Sequence, residues 1–256
     1  LLKSKISILG CGWLGTALAE ELIACGYKVN GSSTSPEKIS KLAKMGIQPF
    51  LIDITEHKAL PDKFLKASIL VIALPSQNSD DFNYLIKQIE KSSIQKILFI
   101  STTSVYADTN EIVTEASPIR TSTRANLELL FKDNPKLATT ILRFGGLFGY
   151  DRKPGNFIRS DNKINNPEGY INFIHRDDCI AIIKLILSKN IWNTLLNACA
   201  DTHPKRKDFY KKEMAKLGRQ QPVFDNAKQS IYKIVSSEKL KKLLNYTFKY
   251  ADLMQY

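Results

Sequence analysis

Short apolar runs rich in β-branched residues alternate along this chain with stretches whose apolar positions recur at helical spacing. Ile6–Leu9 is the first run, and Leu14, Ala17, Leu18, Leu22 and Ile23 follow it on one helical face. Strands are predicted next at Tyr27–Asn30, Pro49–Ile52, Ile69–Ala73, Ile97–Ile100 and Thr140–Leu142, with helical patterns near 38–45, 80–91 and 121–133. Ser35-Pro36-Glu37 reads as a helix entry, with a capping serine and proline at the first helical position. Strands that are apolar along their whole length and alternate with helices imply a parallel sheet covered on both faces. The expected fold is therefore α/β and doubly wound.

From Arg143 the regularity loosens into a Gly-, Pro- and Asn-rich stretch, Gly145 to Gly169, and helical periodicity returns at Asp177–Leu187. The basic remainder predicts two or three short helices and the Tyr232–Val235 run. The expected organisation is a nucleotide-binding domain over 1–150, with 170–200 returning to it, and a small substrate or lid region made of 151–169 and 201–256.

At 256 residues and 43% hydrophobic composition, the chain has ample material for a core. No apolar run approaches the roughly 18 residues that span a bilayer. The opening Leu1-Leu-Lys-Ser-Lys lacks a signal-peptide apolar region, so a soluble cytoplasmic protein is expected, monomeric or homodimeric. Cys11, Cys25, Cys179 and Cys199 form no C-x-x-C pair, so neither a metal site nor a disulfide framework is expected. The net charge of +12 raises the question of nucleic acid. Much of it is late: Lys205, Arg206, Lys207, Lys211, Lys212 and Lys216 interleave with Phe209, Met214 and Leu217, the pattern of a solvated face opposite a packed one. A phosphate-bearing small ligand accounts equally well for part of the bias.

The chemistry begins where the first run ends. Gly10-Cys-Gly12-Trp13-Leu14-Gly15 is G-x-G-x-x-G between a predicted strand and a predicted helix, the context that turns a common glycine pattern into a dinucleotide-binding opening. Gly10 serves the tight turn, Gly12 the approach of a pyrophosphate, and Gly15 close helix packing, with the helix N-terminus facing the anion. A glycine-rich turn in another α/β protein is the alternative. Beyond the second strand, Asn30-Gly-Ser32-Ser33-Thr34 carries no carboxylate to hold a ribose, and no acid occurs before Glu37. Ser32, Ser33 and Thr34 offer hydrogen bonds and Lys38 charge to a 2′-phosphate, so NADP is the expected cofactor, with NAD the alternative. The expected architecture becomes a Rossmann-type sheet with a small C-terminal substrate region.

Three further segments carry a family resemblance. Ser101-Thr102-Thr-Ser104-Val-Tyr106, Leu142-Arg143-Phe-Gly-Gly-Leu-Phe-Gly149 and Ile174-His175-Arg-Asp-Asp178 follow the glycine motif in order, and together they resemble the extended short-chain dehydrogenase/reductases, which include NAD(P)-dependent epimerases and dehydratases of nucleotide sugars. The likeness spans most of 5–190. It implies an NAD(P)-binding oxidoreductase or epimerase/dehydratase acting on a small polar, nucleotide-linked substrate. It also implies that Asp53 contacts adenine and that Ala73, Leu74 and Pro75 flank the cofactor, although Asp53 also reads as a turn residue.

The chain departs from the family at its catalytic pair, Tyr-x-x-x-Lys. With Glu128 setting the register, Arg120 and Arg124 stand in those places. Arginine stays charged at neutral pH and cannot exchange a proton as the phenol does, a loss worth about 10²–10⁴-fold in rate. Arg124 retains the lysine's capacity to donate to a cofactor ribose. Thr102 and Tyr106 remain as catalytic candidates, and Ser104, Arg143, Tyr150 and His175 as substrate-binding ones. The plainer reading makes Tyr106 a packing residue after the strand and His175 a residue that caps or orients the following helix. A non-catalytic dinucleotide sensor is therefore the rival reading.

Overall fold

The structure, a computed structural model, describes residues 4–75, 78–158, 163–225 and 230–256. Residues 1–3 of the chain opening and 159–162 of the expected lid lie outside the described residues.

The first half runs β1 (Lys5–Leu9), α1 (Trp13–Ala24), β2 (Lys28–Ser33), α2 (Pro36–Lys44), β3 (Gln48–Leu51), α3 (Asp62–Leu65), β4 (Ile69–Ile72), α4 (Ser79–Ile89), β5 (Lys96–Thr102), β6 (Glu111–Val113) and α5 (Thr123–Lys132). The second runs β7 (Ala138–Phe144), β8 (Gly146–Phe148), β9 (Lys163–Asn165), β10 (Phe173–His175), α6 (Arg176–Ser188), β11 (Leu195–Ala198), α7 (Arg206–Lys216), β12 (Val223–Asp225), β13 (Lys233–Val235) and α8 (Glu238–Leu244).

Seven strands form the main sheet, in the order β11-β7-β5-β4-β1-β2-β3. β1 pairs in parallel with β2 on one side and β4 on the other, and β2/β3 and β4/β5 are parallel too. The chain thus winds outward from β1 to β3, crosses back, and winds outward again from β4. This is the doubly wound topology that the alternation of apolar runs and helices predicts, and its switch point falls between β1 and β4.

The chain divides into two compact units. The first comprises 1–101, 121–142 and 183–195, the second 102–120, 143–182 and 196–256. This differs from the boundaries expected from sequence: 102–120, 143–150, 170–182 and 196–200 belong with the second unit. The reason is pairing distant in sequence. β8 pairs with β10, β6 with β13 and β9 with β12, so segments that read as loops or tail are tied together as small sheets.

In the first unit, α1 turns Leu14, Leu18 and Leu22 inward at every fourth residue, as the periodicity predicts. Its core includes Leu70, Ile72, Phe82, Leu85, Phe99, Phe131 and Ile141. Phe99 and Phe131 stack with centroids 5.0 Å apart, and Phe82 meets Phe131 edge-on at 5.9 Å. The second unit buries Phe148, Ile171, Phe209, Tyr210, Met214 and Leu253. At the start of α7, Lys205 and Lys207 grip the carboxylate of Glu168 at 2.7 and 2.5 Å. Among the described residues, no helix is long and apolar enough to cross a membrane.

Phe131 is fully buried in the three-ring cluster, so Phe131→Ala is expected to cost about 3–5 kcal/mol. A urea titration against the parent chain reads this directly, and a loss under about 1 kcal/mol would mean that the site collapses around the missing ring.

Candidate functional site

The glycine loop is shaped by two close approaches. Gly10 adopts φ +104°, and a Cβ there would lie 2.7 Å from the carbonyl oxygen of Ala73. A Cβ on Gly15 would fall 2.2 Å from the carbonyl oxygen of Gly10, so α1 can start directly against the end of β1 only with glycine at this position. Around Gly12 there is open space: among the described residues, no atom beyond its chain neighbours comes within 4 Å of where its Cβ would be. Gly12 is the N-cap of α1 and provides no side-chain cap. The N–H groups of the first helical turn, which have no intrahelical acceptor, thus begin beside open space.

Hydrogen bonds from β2 brace the loop. Ser32 Oγ accepts the Gly10 N–H at 3.0 Å, its carbonyl accepts the Cys11 N–H at 2.7 Å, and Thr16 Oγ1 donates to the Cys11 carbonyl at 2.9 Å. Burial pushes the Cys11 thiol up to about 12, so it stays neutral and adds no negative charge to the loop.

These parts line a cleft of about 340 Å³ at the carboxyl ends of β1 to β4. It brings together Gly10, Gly12, Ser32, Ser33, Thr34, Lys38, Asp53, Ala73, Leu74 and Pro75 from the sequence expectations, and adds Leu9, Cys11, Ile52, Ile54 and Thr55. Trp13, Leu14 and Gly15 are not in its lining: Leu14 is buried and Gly15 is packed on Gly10. The added residues lie at or just after the ends of β1 and β3, where apolar positions gave only a core signal.

Within the cleft the polar groups divide by task. Ser33 Oγ accepts the N–H of Ser35 at 3.1 Å, and Ser35, the expected cap of α2, makes no side-chain cap bond. Ser32 and Ser33 are therefore engaged with the backbone, while Thr34 and Lys38 are exposed at the rim. Asp53 accepts from Thr55 N at 2.9 Å and Thr55 Oγ1 at 2.7 Å, and that hydroxyl holds its carboxyl below the usual range. The turn role and a place in the cleft thus coincide in Asp53.

Arg124 lies on α5 with its Nη2 3.4 and 3.3 Å from the carbonyl oxygens of Leu74 and Pro75, and its guanidinium sits over the ring of Phe99. Among the described residues, its buried Nη1 has no hydrogen-bond partner. Burial lowers its pKa and Glu128, one turn on, raises it. Glu128 is itself buried and accepts the hydroxyl of Ser101 at 2.5 Å.

The remaining candidates belong to the second unit. Thr102 accepts the N–H of exposed Ser104 at 3.1 Å. Tyr106 is fully buried: its hydroxyl accepts from Arg143 Nη1 at 2.6 Å and donates to Asn197 Oδ1 at 2.9 Å, and burial pushes its pKa up. Tyr106 and Arg143 are thus both buried and bonded to each other, the geometry of the packing alternative for Tyr106. Arg120 donates to the Tyr106 carbonyl.

Tyr150 is 52% exposed, in the left-handed region at φ +56°, with its hydroxyl on Asp177 Oδ1 at 2.7 Å and the Arg176 guanidinium 4.1 Å over its ring. His175 is buried beside Phe148, Tyr250 and Tyr256, and its Nδ1 accepts the Asp177 N–H. Burial holds this imidazole below its ordinary value, as it does His203, which bonds the Ile171 carbonyl. The helix-cap alternative for His175 matches this geometry.

The fold and the cleft define a Rossmann-type α/β protein with a dinucleotide-binding glycine loop. Residues 5–104 match the family described as NADP oxidoreductase, coenzyme F420-dependent. The chain is 32% identical to Protein YeeZ of Escherichia coli strain K12, an alignment that covers 97% of both chains, and it belongs to that protein's family. Solved structures of the same fold include a conserved protein of unknown function from Silicibacter pomeroyi DSS, at 20% identity and TM-score 0.84 over 98% of this chain and 95% of that one. UDP-glucuronic acid 4-epimerase from Bacillus cereus in complex with NAD also shares it, at 21% identity and TM-score 0.76 over 97% and 94%.

Folding lowers both imidazole pKa values, so the unfolded chain takes up protons first. The stability present above the ordinary value of 6.5 is expected to erode as the pH falls through it. Urea midpoints measured from about pH 7.5 to about pH 5.5 should decline, and His203→Gln should flatten part of that slope. A flat profile would show that neither imidazole is driven neutral by folding.

Proposed function

We propose that the chain binds NADP, with NAD as a weaker alternative, and acts as an oxidoreductase or epimerase/dehydratase-like protein of the extended short-chain dehydrogenase/reductase type. Its substrate is a small polar, nucleotide-linked molecule, and it works in the cytoplasm as a monomer or homodimer. The observation that carries this reading is the cleft at the switch point, where a turn closed to any side chain at Gly10 and Gly15 leaves space at Gly12 beside the start of α1. The residues fit a dinucleotide. Gly10, Gly12 and the first turn of α1 would take the pyrophosphate, Asp53 the adenine end, Thr34 and Lys38 a 2′-phosphate, and Ala73 to Pro75 the flank towards the nicotinamide. The match to an NADP oxidoreductase family over 5–104 supports it.

A bound nicotinamide supplies or accepts hydride. On the protein side, Thr102 is oriented by the Ser104 N–H and retains an O–H to donate to a substrate oxygen. Tyr150 is the exposed phenol in the set, and its bond to Asp177 raises its pKa and keeps it a donor rather than a base.

One observation favours the sensor reading. Arg120 and Arg124, which replace the family's Tyr and Lys, both hold backbone carbonyls, and Tyr106 is sealed in the core. Nucleotide-stripped protein titrated calorimetrically with NADPH, NADP, NADH and NAD separates the possibilities. Selective binding of the phosphorylated forms is expected, with Lys38→Glu weakening NADPH about tenfold and leaving NADH unchanged. Binding of none of the four would remove both readings. Binding without turnover of any carbonyl or nucleotide-sugar substrate would leave the sensor.

A further inference from the structure

The cleft wall after β3 is a three-residue 3-10 turn, Ile54–Glu56, and it is poorly held by its own backbone. Its two closing hydrogen bonds, Glu56 N to Asp53 O and His57 N to Ile54 O, are long, at 3.4 and 3.3 Å. It follows β3, the outermost strand of the main sheet, in which Leu51 is 56% exposed. Asp53, Ile54 and Thr55 nevertheless all line the cleft, so their placement shapes the end of the site that receives the adenosine in the reading above.

The residue that ends this turn is His57, which adopts the left-handed conformation at φ 50°, ψ 31°. Non-glycine side chains resist that conformation, and here it carries the imidazole to α4. His57 Nε2 lies 2.8 Å from Asp81 Oδ1, and its ring stacks on Tyr84 with centroids 5.1 Å apart and planes 20° from parallel. The two partners differ sharply in exposure: 45% of the His57 side chain is accessible but only 4% of that of Asp81. A carboxylate withdrawn from water to that degree requires a donor, so the contact is driven from the buried side. Asp81 sits in the first turn of α4, where the helix dipole favours its charge.

We propose that His57 and Asp81 form a latch that fixes the Asp53–Glu56 turn against α4 and thereby sets affinity for the adenosine half of the dinucleotide. Neither residue lines the cleft. Both are positioning residues, acting through Asp53, Ile54 and Thr55. Tyr84 contributes by holding the imidazole plane. The proposal rests on the cofactor reading, and its test keeps the two apart.

Parent protein, H57A, H57Q and D81N are titrated with NADPH and with adenosine 2′,5′-bisphosphate, which carries only the adenosine end, and their thermal midpoints are recorded without ligand. H57A is expected to weaken both ligands about tenfold, because it leaves the Asp81 carboxylate without its donor. H57Q, whose amide N–H can reach that carboxylate, is expected to recover most of the affinity. D81N should fall between them. Phe131→Ala, weakened in the core but intact at the turn, should bind both ligands as the parent does. Unchanged affinity in H57A, or losses that simply follow thermal stability across all variants including Phe131→Ala, would overturn the latch. A parent protein that binds neither ligand would instead overturn the cofactor reading.

Discussion

The approach of the Gly15 backbone to the carbonyl of Gly10 is the constraint on which the first unit depends. At 2.2 Å from that oxygen there is no room for a Cβ, and the consequence reaches beyond one turn. Because α1 begins flush with the end of β1, its residues Leu14, Leu18 and Leu22 are all buried. The same geometry leaves the helix N-terminus beside the space at Gly12. Packing and binding capacity therefore come from one missing side chain, and the position cannot be tuned for one without the other.

Most of the frame was legible because it is written in short-range periodicity. β1 to β5, β7 and helices α1, α2, α4, α5 and α6 correspond to runs whose burial pattern is visible within a dozen residues. β11 escaped because four residues before a basic segment carry too little signal, and the pairs β6/β13, β8/β10 and β9/β12 escaped because each partner lies far away in sequence. The cleft divides in the same way. The glycine loop announces itself, whereas the contribution of Ile52, Ile54 and Thr55 depends on where β3 ends. His57 gave no signal at all, since its meaning comes from Asp81, 24 residues on.

Residue type is hardest to read where polar groups are buried. Tyr106 and Arg143 carry the chemistry of a reactive site in sequence, yet in the fold they satisfy one another and Asn197 within the second unit. A buried phenol and guanidinium are costly alone and acceptable together, so their presence reports on core specification. Arg124, half-buried on α5, follows the same logic with the carbonyls of Leu74 and Pro75 as partners.

Ser32 and its neighbours show how such a cleft can change ligand without losing shape. Ser32 and Ser33 spend their hydroxyl oxygens on the Gly10 and Ser35 amides, while Thr34 and Lys38 stand at the rim. Strand β2 therefore ends in two buried positions that carry the architecture, followed by exposed ones at the rim of the cleft. Substitutions can rewrite the rim while the buried serines keep their bonds, as a change of lock on an unaltered door frame.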